Sequence, residues 1–313
     1  MSENRICPVC KKEMSAQAHV GVVVPLYKSV EHIDQLINFV NELDTTIDGG
    51  ITLTVVVDGC HKSEEEFDSH YKNLVPKVRI VSLAKNFGVG PALFAAMSNQ
   101  NECFTIAFGS DLQEPSSLFV EFAKELFSGE SQIVLGSRIS REDPWKDVLF
   151  AKIYWFLCRK LMFKDVPKGG FDVFGMNQVA RKSLTAMSEH KTNITAQILW
   201  MGFRLKYFPF TRIARVEGKS TWSFRKKLGL FLDSFFSFWP SILFKVSFAL
   251  LMVATVFLVS NHDSGETTKT YFLWPIIALL VLVQNSVLDR VFENSKNRPL
   301  YIIARLEELK DRT

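Results

Sequence analysis

Hydrophobic and polar positions along this chain follow two regimes. Up to about Thr221 apolar and charged residues are mixed as in a globular protein, whereas from Phe235 to Leu288 two long apolar stretches flank a short polar one. Within the first regime, short apolar runs rich in β-branched residues alternate with segments whose apolar residues recur at helical spacing. The runs His19–Pro25, Thr52–Val57, Val78–Leu83, Phe104–Phe108 and Ile133–Leu135 are too short for helices and predict strands. Between them Glu31–Leu43, with Ile33, Leu36, Ile37, Val40 and Leu43 on one face, predicts a helix, as do Pro91–Met97 and Leu118–Phe127. Near-continuously apolar strands alternating with helices predict an α/β domain, a mostly parallel sheet with helices on both faces.

The second regime predicts membrane spans at 239–260 and 271–288, each close to the ~20 residues that cross ~30 Å of hydrocarbon as a helix. Neither stretch has a polar face, and two in succession argue against buried core helices. Trp239, Tyr271 and Trp274 stand at their ends, where aromatic rings favour the headgroup layer. Arg225, Lys226, Lys227 and Lys245 precede or open the first stretch and Arg290, Lys296, Arg298 and Arg305 follow the second, whereas the loop Asn261–Thr270 holds only Lys269. Basic residues stay on the cytoplasmic side, so a multi-pass protein of the cytoplasmic membrane is expected, with both termini and the soluble domain cytoplasmic. Met1–His19 is polar and lacks the apolar core of a cleavable signal peptide. Between Trp222 and Trp239 the basic Arg225–Lys227 precedes Phe231, Leu232, Phe235, Phe236 and Phe238, a pattern that suits an interfacial helix. The expected organisation is therefore an N-terminal tail 1–18, a soluble domain 19–221, an amphipathic juxtamembrane helix 222–238, the two spans, and a C-terminal cytoplasmic tail 289–313.

Charge and cysteine content narrow the partners. A formal charge of +4 is small for a nucleic-acid binder, and it gathers beside the apolar stretches, where anionic lipids attract it. Nucleic acid is not an expected partner. The five cysteines, Cys7, Cys10, Cys60, Cys103 and Cys158, read as thiols in a cytoplasmic chain rather than as a disulfide framework. Cys7-Pro8-Val9-Cys10 has the spacing of half a zinc site, with His19 and His61 as candidates for the other half, against the plainer reading of a mobile N-terminal tail.

In open α/β sheets ligands sit beyond the carboxyl ends of the strands. The loops that leave those ends start at Pro25, Asp58, Lys85, Asp111 and Arg138. Asp111, followed two residues later by the Gln113 amide, offers hard oxygens of the kind Mg²⁺ or Mn²⁺ accepts alongside phosphates, although an aspartate and a proline also shape ordinary turns. Asp58-Gly59 is by itself a common turn pair. Lys85-Asn86-Phe87-Gly88 adds a cation and a flexible backbone suited to a diphosphate or to a base and ribose.

Taken in order, these loops resemble the polyprenyl-phosphate glycosyltransferases, the dolichol-phosphate mannose synthases and their bacterial two-span relatives that glycosylate undecaprenyl phosphate. Val22-Val23-Val24-Pro25-Leu26-Tyr27 resembles the family's opening strand and loop, and Ser82-Leu83-Ala84-Lys85-Asn86-Phe87-Gly88 its Ser-Leu-x-Arg/Lys-Asn-Phe-Gly motif. Asp111-Leu112-Gln113-Glu114-Pro115 is similar to its Asp-Leu-Gln-Asp/His-Pro, Gly136-Ser137-Arg138 to its Gly-Ser-Arg, and Gly218-Lys219-Ser220-x-Trp222 to its Gly-x-Ser-Lys-Trp/Tyr. Lys296-Asn297-Arg298-Pro299-Leu300-Tyr301-Ile302 is similar to the sequence after the second span of the bacterial branch.

The resemblance implies a GT-A-like domain that moves a sugar from a nucleotide sugar, a UDP-sugar being favoured, to a polyprenyl phosphate with inversion, for cell-envelope glycans. It assigns Pro25, Tyr27 and Asp58 to the nucleoside, Lys85, Asn86 and Gly88 to the donor, and Asp111 with Gln113 to the metal on the diphosphate. Arg138 is assigned to the acceptor phosphate, with Lys152, Arg215, Lys219 and Ser220 as further contacts. Asp172 lies where relatives carry an acidic residue near the acceptor and is set beside Asp111 as catalytic. Two-span relatives assemble through their membrane helices, so a homo-oligomer is implied as well. Two departures stand out: Val57-Asp58-Gly59-Cys60 keeps only the second aspartate of the usual Asp-Asp-Gly-Ser, and Gly109 replaces the first aspartate of Asp-x-Asp. The metal loses one ligand thereby, and the alternative is a catalytically impaired member that serves as a membrane scaffold or partner of another transferase. A processive synthase would carry Gln-x-x-Arg-Trp, and Gln197-Ile198-Leu199-Trp200 lacks the arginine.

Overall fold

The computed structural model describes residues 7, 9, 11, 19–28, 33–70, 74, 76–139, 152–153, 155–160, 166, 170–190, 193–212, 229, 240–260 and 266–309. Among these, eight strands form one sheet: β1 (Val20–Leu26), β2 (Ile51–Val57), β3 (Lys77–Leu83), β4 (Phe104–Ala107), β5 (Ile133–Arg138), β6 (Phe171–Asn177), β7 (Leu205–Phe210) and β8 (Ile303–Leu309). Their order is β7-β5-β6-β4-β1-β2-β3-β8. The strands β3-β2-β1-β4 run parallel, β6 runs antiparallel between β4 and β5, and β7 pairs parallel with β5. All seven residues of β2 are buried, as an interior strand covered on both faces requires.

Helices α1 (Ile33–Thr46), α2 (His61–His70), α3 (Val89–Ser98), α4 (Ser116–Ser128) and α5 (Gln178–Thr185) cover the two faces. α1 buries Ile33, Leu36, Ile37, Val40 and Leu43, the stripe its sequence spacing predicts. Phe39, Phe108, Phe119 and Phe122 join α1 and α4 to the end of β4 through edge-on and tilted ring contacts 4.7–6.0 Å apart. α4 stops at Gly129, whose left-handed φ of 74° closes the helix with an amide bond to Leu126 O.

Two expectations change. Residues 289–313, expected as a tail, contain the end of a long helix and then β8, which pairs antiparallel with β3 at the sheet edge. Ion pairs rather than an apolar stripe hold this strand: Arg79 of β3 donates to Glu308 at 2.8 Å, and Arg305 of β8 donates to Asp68 at 2.7 Å and Glu64 at 3.0 Å on α2. The N-terminal segment is not a mobile tail at Cys7, which is fully buried in the core cluster.

The chain divides into two compact units, 1–188 with 197–220 and 299–313, and 189–196 with 221–298. The second unit contains α7 (Pro240–Ser260) and α8 (Glu266–Ser295), after the short α6 (Ile194–Trp200). The expected spans 239–260 and 271–288 overlap these helices, the first from Pro240 onward. Among the described residues, Trp274–Ser295 is the one segment long and apolar enough to cross a membrane, while the described apolar part of α7, Ser247–Phe257, is shorter. The expected interfacial helix 222–238 lies outside the described residues apart from Gly229.

Candidate active site

The carboxyl ends of β1, β2, β3, β4, β5 and β7 lie on one edge of the sheet, and the loops that leave them form the candidate site. Asp58, buried after β2, is its organiser. Its two carboxylate oxygens accept the amides of Phe87 at 2.7 Å and Gly88 at 2.8 Å, and its own amide donates to Leu26 O at 3.0 Å. One carboxylate thus fixes the loops after β1, β2 and β3 to one another, and the charge-assisted bonds make the clamp strong. Gly59 is required at this crossing: its φ is +61°, and a Cβ there would stand 2.1 Å from Lys85 C. The loop after β3 gains further support from the C-terminal segment, since Ala84 N donates to Ile302 O at 2.9 Å.

Of the other residues expected to bind the donor, Tyr27 is exposed at the mouth of the β1 loop with Lys28 over its ring at 5.2 Å, and Lys85 lies over the Phe87 ring at 5.1 Å. Gly88 precedes α3 with φ +96° and has open space where a Cβ would stand. Pro25 is the one residue of β1 that is not fully buried.

The loop after β4 carries the charge. Leu112 adopts a left-handed φ of 49°, a conformation costly for a branched side chain and found where function over-determines the backbone. Gly109 leaves space that Asp111 uses, because a Cβ on Gly109 would lie 2.8 Å from Asp111 Oδ1. Arg212, just beyond β7, pairs with Asp111 Oδ2 at 3.5 Å. Gln113 and Glu114 are buried, and Glu114 Oε2 has no hydrogen-bond partner among the described residues. Burial, and then the Asp111 charge, push the Glu114 carboxyl up to about 7, while Arg212 and Arg138 pull it back. Arg138 ends β5 opposite Phe210 of β7, and the Arg138 and Arg212 guanidiniums act on the Glu114 carboxyl together with Asp111 from the ends of β5, β7 and β4.

The remaining predicted residues divide in two. Asp172 is brought to the same edge by register, between Phe171, opposite Ser137, and Val173, opposite Gly136, although its side chain lies outside the described residues. Lys152 is exposed, and so is Asn86 in the β3 loop. Arg215, Lys219 and Ser220 lie outside the described residues. The sequence reading passed over Arg212, which belongs to no motif, and Glu114, whose only signal was its place in the Asp-Leu-Gln-x-Pro segment.

Residues 21–186 match the family described as Glycosyl transferase family 2. An uncharacterized glycosyltransferase of Synechocystis sp. is 24% identical over 305 residues, covering 92% of this chain and 95% of that protein. The bactoprenol glucosyl transferase of Shigella phage SfV is 23% identical over 300 residues, covering 91% of this chain and 97% of that protein. In fold, the chain is similar to mannosyl-3-phosphoglycerate synthase from Rubrobacter xylanophilus, with a TM-score of 0.52 at 14% identity over 69% of this chain and 72% of that one.

Proposed function

The chain belongs to glycosyl transferase family 2, and from that premise we propose that this glycosyltransferase moves a sugar from a nucleotide sugar, a UDP-sugar being favoured, to a polyprenyl phosphate at the cytoplasmic face of a membrane, with inversion. The observation that carries this reading is the convergence of Asp111, Glu114, Arg138 and Arg212 at the ends of β4, β5 and β7. Such a group can receive two anions: a metal-bound diphosphate on its acidic side and a lipid phosphate on its basic side. Names among the relatives point the same way, since the phage protein is a bactoprenol glucosyl transferase. Exposed apolar side chains on α7 and α8, including Phe248, Leu251, Val256, Trp274, Leu282 and Leu288, support two membrane spans.

The residues present fit a divalent cation. Burial, and after it the Asp111 charge, hold a proton on Glu114 up to about 7, and a cation at Asp111 would offset that charge. Asp111 and Gln113 would hold the ion, which when bound offsets charge on the donor diphosphate. Asp58 keeps the Lys85–Gly88 loop in place for the donor. Arg138 and Arg212 take the acceptor phosphate, with Lys219 and Ser220 beside them by motif. Because the lipid phosphate is already an anion, in-line positioning and charge stabilisation do the work and a strong general base is not needed.

Membranes that contain the protein, incubated with undecaprenyl phosphate and a panel of labelled nucleotide sugars with and without Mg²⁺, test the reading. Labelled lipid from at least one donor is expected, and no labelled lipid from any donor would refute it. Arg138→Ala is expected to raise KM for the lipid more than for the nucleotide sugar; the opposite split would move Arg138 to the donor site.

A further inference from the structure

The opposite edge of the sheet holds a second concentration of chemistry that the transfer reaction does not use. Cys7, His19 and Cys103 bring two sulfurs and one imidazole nitrogen within 4.8 Å of one another, all buried at 0%, 1% and 6% exposure. Two of the three stand on rigid ground. His19 immediately precedes β1 and Cys103 immediately precedes β4, and the strands pair in parallel from Val20 opposite Phe104, so register alone sets these two side by side. Phe104 N donates to His19 O at 3.0 Å, and Gln178 N donates to Cys103 O at 2.8 Å.

Cys7 arrives from the N-terminal segment through a turn. Lys11 N donates to Cys7 O at 2.9 Å and Lys11 has φ +61°. Cys7 is fully buried in the core cluster, and Val9 of the same segment is partly buried against that cluster.

We propose that Cys7, His19 and Cys103 form a zinc site that fastens the N-terminal segment to the sheet. Two thiolates and a neutral imidazole are the soft-to-borderline donors that zinc selects over the Mg²⁺ or Mn²⁺ of the opposite edge. Tetrahedral zinc with Zn–S near 2.3 Å places its ligand atoms about 3.8 Å apart, so the observed spacing closes onto a metal by side-chain adjustment alone. Each coordinating thiol releases its proton to solvent on binding. The resulting negative charge is met by Arg181, a buried guanidinium that interacts with Cys103 and is held by Thr105 Oγ1 at 3.0 Å and Gln100 O at 2.8 Å.

The full chain, purified without a metal-binding tag, tests this by elemental mass spectrometry. About one zinc per chain is expected, with at least about a tenfold loss in Cys7→Ser and Cys103→Ser. Serine is nearly isosteric, and cobalt-loaded wild-type protein supplies a readout that needs no variant: the absorption of tetrahedral thiolate-bound cobalt. Zinc-free protein whose melting temperature does not rise on zinc addition would overturn the site, as would a Cys7–Cys103 disulfide in the native chain.

Discussion

The two edges of the one sheet treat buried polar groups in opposite ways. At the amino-terminal edge Arg181 and Arg79 are buried with partners in place: Arg181 donates to Thr105 and Gln100, and Arg79 to Thr54, Glu102 and Glu308. At the carboxyl-terminal edge Glu114 is buried with one oxygen lacking a hydrogen-bond partner among the described residues, Leu112 sits in a strained backbone region, and like charges crowd at Asp111 and Glu114. The same strands feed both edges, so the difference is a property of the loops. Satisfied networks stabilise; unsatisfied ones are held in place by the rest of the fold and become useful when a charged ligand completes them.

Substitutions on each edge break or sharpen this contrast. The largest effect is expected at Gly59: an alanine there collides with the backbone of Lys85 and must also adopt a positive φ, so Gly59→Ala should cost about 4 kcal/mol of stability and abolish turnover together. Chemical denaturation and the transfer assay on the same preparation check this. On the opposite edge, Arg181→Met should lower stability by about 3 kcal/mol while kcat/KM of the folded fraction stays within a factor of about two, because it strands Thr105 and the Gln100 carbonyl far from the reacting loops. A comparable loss of turnover would erase the division between the edges.

Glu114 gives a pH signature. Between the ordinary carboxyl value and about 7, the folded protein keeps a proton that the unfolded chain has lost. Stability therefore falls as pH rises through that window, by up to about 3 kcal/mol, and levels off above it. Glu114→Gln should flatten the fall, measured as melting temperature against pH. The smallest effect is expected for Gly109→Ala, which pushes Asp111 out of place: turnover should drop about tenfold, ~1.4 kcal/mol, at unchanged melting temperature.

How much of this was visible in the sequence follows the same division. The core strands were legible because β1 to β4 are nearly continuous apolar runs, and the Asp111 and Lys85 loops because they leave those runs directly. Helix α2 was not, since His61–His70 buries only Ser63 and Phe67 and offers no apolar period. Strand β8 was hidden because charges hold it at the edge: Arg305, Glu307 and Glu308 read as a solvated tail until Asp68, Glu64 and Arg79 are placed beside them. The partnership of Cys7 with Cys103 and of Asp111 with Arg212 depends on strands far apart in sequence meeting in the sheet, which local spacing cannot reveal.

The central claim is that the carboxyl-terminal edge transfers a sugar through Asp111 to a lipid phosphate. Wild-type and Asp111→Asn proteins, reconstituted side by side with undecaprenyl phosphate and the labelled donor that supports turnover, test it most directly. Labelled lipid from the wild type and a loss of at least about 100-fold in the variant are predicted. Equal labelling by the two proteins would contradict the account.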